Sequence, residues 1–300
     1  MKINSASSGR SPRGRRPSRL TAGRMGLYAF VVTAALVFLL PFWVMVTTSL
    51  KPMSEIRTGN IFAPPLAPSF DAWVAAWSSA CTGLQCEGVS VGFVNSVIIL
   101  IPSLILSLLF GAVNGYALSL WRVRGANILF GILLFGAFIP HQLVLYPIVR
   151  VFAALGIYGT VWAVIVIHVV FAQPVMTLVF RNYYASLPAE LFKAARVDGA
   201  GFWRMFFAIV LPMSTPILVV AAILQVTAIW NDFLYGLVFA GRDSMPMTVQ
   251  LNNIIHTTTG ERFYNVEMAA TLMTAALPLL VYLVSGRLFV RGIAAGALKG

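Results

Sequence analysis

Three hundred residues would make one large domain or two ordinary ones, but only 10% of them are charged, against about 25% in soluble domains. With 59% apolar residues and a mean hydropathy of +0.86, too little polar surface remains to cover a water-soluble globule, which excludes that class and indicates an integral membrane protein. A net charge of +12 would suggest nucleic acid in a soluble chain, so its placement along the sequence decides its meaning.

The N-terminal segment 1–24 holds seven of the 21 Lys and Arg, and Ser, Gly and Pro fill most of the rest. It reads as a disordered basic cytoplasmic tail held by anionic lipid rather than as a nucleic-acid arm. The uncharged run from Met25 to Leu50 follows. It is longer than the apolar stretch of a signal peptide and no small-x-small cleavage site follows it, so it is expected to remain as a first span. Arg15-Arg16 lacks the rest of a twin-arginine signal.

Five more uncharged stretches lie within 93–121, 125–149, 151–180, 205–231 and 268–286. Each can supply the roughly 20 helical residues that cross about 30 Å of hydrocarbon. None alternates with period two, which argues against a β-barrel, and lipid supplies no partners for the backbone of anything but a helix or a closed barrel. The expected fold is therefore all-α, an integral membrane protein with six transmembrane helices spread over 25–300.

With the N-terminus in the cytoplasm, sixteen Lys and Arg fall on the cytoplasmic side and five on the other. The excess of positive charge predicts both termini inside. Outside loops are then 51–92 and 241–267, a cytoplasmic loop covers 181–212, and 287–300 is a cytoplasmic C-terminal tail. Cys81 and Cys86, the only cysteines, share the first outside loop. A short disulfide suits an oxidising compartment; free thiols and a metal site stay open, although a metal needs more ligands and no His lies near in sequence.

Polar residues inside spans are costly and so mark candidate pathway positions. His141 and Gln142 follow Pro140, where a proline kink can line a cavity. Gln225 sits in the fifth span, with interhelical packing as its alternative role, and Asn231 and Asp232 end that span. Asp232 can act in gating or solute passage, or simply lie at headgroup level. Gly and Ala in the second and last spans are read as close-packing residues. His141, His168 and His256 are scattered along the chain and no nucleophile-base-metal constellation is evident, so no catalytic residues and no metal are expected.

Between the fourth and fifth spans stands "AELFKAARVDGA", Ala189 to Ala200, a charged and alanine-rich interruption. Ser186 is expected to cap a helix opening at Leu187-Pro188, with Glu190 near its positive end and Lys193 and Arg196 near its negative end. Gly199 can terminate it in the left-handed conformation, and Asp198 is expected to cap a second short helix. Two short capped helices in a loop of roughly thirty residues exceed what a connector needs and suit a docking knob.

Ala194-Ala195-x-x-Asp198-Gly199-Ala200, followed by Leu211-Pro212, resembles the EAA loop of bacterial ABC importer permeases. The chain from about residue 25 onward resembles their carbohydrate branch, the maltose-type second permease subunit. The further landmarks are Ser49-Leu50-Lys51, Phe93-Val94-Asn95-Ser96, Gly115-Tyr116-Ala117-Leu118, "LGIYGT" (Leu155 to Thr160), Trp230-Asn231-Asp232-Phe233 and Lys299-Gly300. The "CTGLQC" loop looks like that of glucose/mannose-type importers. The resemblance implies the type I ABC importer permease architecture in a bacterial cytoplasmic (inner) membrane. It implies a second homologous permease subunit, two nucleotide-binding ATPase subunits and an external solute-binding protein as partners. The ATPase docks on Glu190, Lys193, Ala194, Ala195, Asp198, Gly199, Ala200, Leu211 and Pro212, and Lys299 and Gly300 reach into the ATPase dimer. The family pattern has Glu where Lys193 stands, so charge pairing at the dock must differ here.

No GxxxxGK[ST] phosphate loop is present, so the chain is expected to be no enzyme and to bind no cofactor, with ATP and Mg on the partner ATPase subunits. A permease for a polyol or glycerol-phosphate is the alternative within the class. An ion-coupled secondary transporter is the alternative outside it; that class ordinarily shows internal repeats and mid-membrane charge, and neither is evident.

Overall fold

The structure is a computed structural model that describes residues 21–83, 85–121, 123–256 and 261–297, with side chains described through residue 286. The basic segment 1–20 lies outside the described residues, as do Lys299 and Gly300. Apart from one isolated bridge between Gly159 and Ala240, the described backbone is helix and connecting turns.

Helix α1 (Ala22–Ser49) exposes its long apolar side chains nearly throughout, as a lipid-facing span does, and packs on the last helix of the chain. The expected outer loop 51–92 is partly helical, carrying α2 (Met53–Thr58) and α3 (Asp71–Ser78). Helix α4 (Ser90–Tyr116) runs on into a π-turn at Ala117–Trp121. The third span departs from expectation: α5 (Ala126–Ala137) and α6 (His141–Ala154) meet at 99° rather than forming one rod. Pro140 causes this, since it brings no backbone N–H and drives the preceding residue away from helical geometry. Helix α7 (Val161–Ala185) is straight enough to span alone.

After α7 come α8 (Ala189–Val197), α9 (Phe202–Met205), a π-turn at Phe206–Val210 and α10 (Leu211–Met213). Helix α11 (Thr215–Trp230) then sets off at 78° to the segment Phe202–Met213. Pro212 lacks the N–H that would bond the carbonyl one turn back, and the widened π-turn just before it absorbs the mismatch. The second outer segment also holds structure: α12 (Leu234–Phe239), a 3₁₀ turn at Arg242–Ser244 and α13 (Met247–His256) precede α14 (Tyr264–Ala297). Four described helices are long and apolar enough to cross a membrane, and six spans result if each bent pair counts as one.

The α4–α7 pair is the spine of the bundle. Along α4, Ser103, Ser107, Gly111 and Gly115 recur every fourth residue and are all buried. Such a small-residue stripe lets two helix backbones approach closely, which is how helices associate in lipid without a hydrophobic driving force. A Cβ at Gly111 would sit 2.5 Å from the Met176 Cβ, and one at Gly115 would sit 2.7 Å from the Phe180 Cβ and 2.8 Å from the Arg181 backbone nitrogen. The reading of these glycines as packing residues therefore holds.

Two apolar clusters occupy the two ends of this spine. One gathers Trp230, Phe239, Met247 and Phe152 with the beginnings of α4 and α7; the other gathers Tyr116, Phe180, Tyr184, Phe192 and Phe206 around their ends. At the first end, the Asn95 side-chain amide donates to Asp243 O (3.0 Å) and Met245 O (3.1 Å), while Ser96 Oγ accepts from the Met247 N–H at 2.8 Å. The Phe93-Val94-Asn95-Ser96 motif thus ties α4 to the loop before α13. Cys81 and Cys86 form a disulfide at this same end, resolving the alternatives left open by the sequence.

Substituting Gly115 with Leu is expected to overpack the α4–α7 contact and cost about 1–3 kcal/mol. A thermal unfolding midpoint in detergent would record it. The matching change at Gly131, where an added Cβ meets nothing within 4 Å, should leave the midpoint in place.

Candidate functional site

Helical spacing divides α8 into two faces. Phe192 and Ala195 are buried, 4% and 8% exposed, and pack into the second apolar cluster. Glu190, Ala194 and Val197 lie on the opposite face, Leu191 and Asp198 on its flank, and all are exposed, Val197 at 87%. The alanine pair is therefore split. Ala194 is exposed, whereas Ala195 seats the helix on the bundle. Lys193 is exposed on the flank of the outward face, and Leu211 is half-buried with Pro212 exposed beside it.

The end of α8 is tightly specified. Gly199 has φ +72°, its N–H donates to Arg196 O (3.1 Å), and the Ala200 N–H donates to Ala195 O (2.9 Å). These two bonds and the left-handed glycine make a Schellman cap, which satisfies the last carbonyls of the helix. Two expected caps are absent. Ser186 Oγ donates to Tyr183 O at 2.7 Å and so closes α7, while α8 begins after Pro188. Asp198 caps no helix, because α9 starts beyond Gly201. In both cases the proline or glycine backbone sets the boundary without help from a side chain.

The knob is fastened to the spine from several directions. The Arg196 guanidinium donates to Leu120 O (2.9 Å) and lies 5.2 Å over the Trp121 ring. The Tyr116 ring packs 4.7 Å from Phe202 and 5.7 Å from Phe206. Tyr183 Oη donates to Met213 O (2.7 Å), and Ser214 Oγ bonds Tyr184 Oη (3.0 Å). Arg196 and the second apolar cluster thus join α8 to the end of α4, while the two tyrosine bonds join the end of α7 to the start of α11. Trp203 and Phe207, both exposed and stacked with centroids 6.0 Å apart, extend the apolar surface beside it.

A second group of predicted residues surrounds a cavity of about 350 Å³ among α6, α7, α11 and α12. Of the candidate pathway residues, His141, Gln225 and Asp232 line it; Gln142 and Asn231 are exposed and do not. His168, Tyr235 and Phe171, which sequence reasoning did not place there, also line it. Two of the three histidines thus converge, contrary to the scattered arrangement expected. The 99° elbow at Pro140 accounts for it, because it turns His141 toward α7.

Polar contacts in the cavity wall are largely mutual. The Tyr235 hydroxyl and His141 Nδ1 share a hydrogen bond of 2.6 Å, and His168 Nε2 stands 3.6 Å from Asp232 Oδ2. Asp232 also accepts from the Tyr235 N–H (3.2 Å) and the Gly236 N–H (3.0 Å), so its carboxylate caps α12. Gln225 Nε2 donates to Ser107 Oγ at 3.4 Å, serving as interhelical glue as well as lining. Phe171, Tyr235 and His141 present rings whose centroids lie 4.6 to 5.7 Å apart. Aromatic faces beside fixed hydrogen-bonding groups suit an uncharged, hydroxyl-bearing solute. Among the described residues, no group of three or more His, Cys, Asp and Glu could hold a metal ion.

Over residues 90–295 the chain matches the family described as binding-protein-dependent transport system inner membrane component. It is similar to a probable ABC transporter permease protein of Pyrococcus horikoshii, 33% identical over 284 residues that cover 94% of this chain and 99% of that one. It is 30% identical to a xylose/arabinose import permease protein of Haloferax volcanii, over 90% of this chain and 92% of that one. An arabinooligosaccharides transport system permease protein of Halalkalibacterium halodurans is 31% identical, with coverage of 91% and 94%. Among solved structures, a bacterial ABC transporter involved in the import of the acidic polysaccharide alginate shares the fold, with TM-score 0.75, 20% identity and coverage of 91% and 99%.

Asp232→Ala should destabilise the chain by about 1 kcal/mol through loss of the α12 cap, while Asp232→Asn should retain most of that. Paired thermal midpoints in detergent distinguish a capping carboxyl from one needed for its charge.

Proposed function

This chain belongs to the family of binding-protein-dependent transport system inner membrane components, and from that premise we propose that it is one of two membrane-spanning subunits of an ATP-driven importer of neutral sugars. The family and the apolar helices make it a multi-pass inner-membrane protein. A second homologous permease subunit completes the translocation pathway. Two ATPase subunits bind and hydrolyse ATP with Mg, and an external binding protein delivers the solute. A solved structure of an alginate transporter, TM-score 0.60 at 16% identity, is described as a complex with a pentasaccharide-bound periplasmic protein, which supports that assembly by analogy of fold.

The observation that carries this reading is the α8 platform: a short helix with one exposed face, ended by a Schellman cap, seated on the second apolar cluster and tied by Arg196 to the end of α4. Such a body transmits a push without bending, which is what coupling ATP closure to helix movement requires. Both termini and α8 are cytoplasmic in this reading. The Lys and Arg distribution supports that orientation, and so does the disulfide at the opposite end, where an oxidising compartment lies. Ala194, Leu191, Val197 and Asp198 meet the ATPase subunit, and Lys193 takes an acidic partner there in place of the usual arrangement.

The cavity supports a neutral solute over a glycerol-phosphate. Its lining has one carboxylate and neither Lys nor Arg, so nothing there neutralises a phosphate. Relatives described as importing xylose, arabinose and arabinooligosaccharides are consistent with a carbohydrate.

Ala194→Trp is expected to abolish co-purification of the ATPase subunit while leaving the thermal midpoint of the chain unchanged. Gly199→Pro, which forbids φ +72°, should likewise uncouple uptake from ATP hydrolysis. Normal uptake of labelled sugar into vesicles carrying either variant would overturn α8 as the docking element. Sugar uptake at wild-type rates by a chain whose N-terminus is accessible only from outside would overturn the orientation.

A further inference from the structure

Lys51 stands in the Ser49-Leu50-Lys51 landmark where α1 ends, and the transport reading assigns it no role. Among the described Lys and Arg it is the one that is buried, at 3% exposure. Its backbone is held on both sides: its N–H donates to Thr48 O (3.2 Å), and the Asn265 side-chain amide donates to its carbonyl (3.0 Å).

An ammonium carries three donors and a full charge. Among the described residues the Lys51 Nζ makes one hydrogen bond, to the neutral carbonyl of Asn60 at 3.1 Å. Three acids of this end are engaged elsewhere. Glu55 accepts from the Leu66 N–H, Glu261 pairs with Arg57, and Glu267 pairs with Arg262 at 2.9 Å. A buried charge without a counter-charge is strongly unfavourable, so a site of this kind calls for an anion.

Lys51 lines a cavity of about 270 Å³. Val44, Ile56 and Met268 give the cavity apolar walls, and Thr48, Asn60 and Tyr264 are the polar residues that line it with Lys51. Trp43, half exposed on the preceding turn of α1, donates its indole N–H to Phe62 O at 3.0 Å, and Tyr264 lines the cavity. Trp and Tyr with one wet and one apolar end are favoured at the headgroup level of a bilayer. Beside the cavity runs the exposed apolar face of α1, where an acyl chain can lie.

We propose that the Lys51 cavity holds a phosphate group, carried by the headgroup of a phospholipid whose acyl chains lie along α1. The ammonium supplies the charge, and the neighbouring hydroxyl and amide groups complete the oxygen shell. The lipid thereby pins the junction of α1 with α14. This site is independent of which solute the chain carries, and its failure would leave the transport reading untouched.

The test is native mass spectrometry of the full-length protein in detergent, alone and with its partner subunits. The probes are phosphatidylglycerol, diacylglycerol with the same acyl chains, and inorganic phosphate alone. Phosphatidylglycerol is expected to bind and diacylglycerol to bind far less. Lys51→Gln should weaken phosphatidylglycerol binding by about tenfold or more, the scale of one charge-assisted contact. Ile56→Trp, which fills the cavity but leaves Lys51 in place, should cause the same loss and decides the matter should Lys51→Gln fail to fold. Inorganic phosphate binding with the same Lys51 dependence, unaffected by lipid, would support the phosphate site and assign its source to a free ion. Equal phosphatidylglycerol binding by the wild type and both folded variants would overturn the proposal. A carbodiimide cross-link joining Lys51 to a carboxylate of the partner permease would overturn it as well.

Discussion

The close approach of α4 and α7 is the constraint on which the rest of the structure depends. Lipid gives apolar side chains no reason to prefer one another over acyl chains, so contact between spans must come from dispersion at short range and from hydrogen bonds. Gly111 and Gly115 permit that range by removing the side chains that would hold Met176 and Phe180 away. With the spine set, each end can carry its own apolar cluster. One organises helices α12 and α13; the other organises α8 through α10.

That arrangement gives the two candidate sites a common mechanical frame. Tyr116 near the end of α4 and Tyr184 near the end of α7 hold the α8 platform from below, while Ser107 on α4 bonds Gln225 in the cavity wall. Met176 belongs both to the apolar cluster beneath α8 and to the cavity lining. A packed interior has few intermediate arrangements, so a movement imposed on α8 is passed on as a change of helix positions and is not dissipated within the loop.

The sequence made the spans legible because lipid permits so few structures, and it made Gly199 legible because a helix ending in Asp-Gly has one common solution. Helix starts were less legible. Ser186 and Asp198 have capping chemistry, but Pro188 and Gly201 set the boundaries, and a hydroxyl or carboxyl that finds another partner gives no sign of it in the sequence. The inward-facing side of α8 was not legible from spacing, because Leu191–Ala194 and Phe192–Ala195 repeat the same pattern and only the second pair is buried. His168 had a weak signal, a lone polar residue within an apolar span. Its pairing with Asp232 across 64 positions depends on how α7 and α11 cross.

Taken alone, the sequence determined membrane residence, the number of apolar segments, the location of the polar knob and its terminating glycine, because each depends on composition or on local backbone preference. Tertiary structure decided which alanine of the pair faces outward, that the third and fifth segments bend sharply, and that His141, His168, Asp232 and Tyr235 share one cavity. It also decided that Lys51, an ordinary flanking lysine by its position after a span, is enclosed, with a neutral carbonyl as its hydrogen-bond partner among the described residues. The physical reason is common to all of these. Burial and charge compensation are properties of where several helices meet, and no stretch of sequence contains that information by itself.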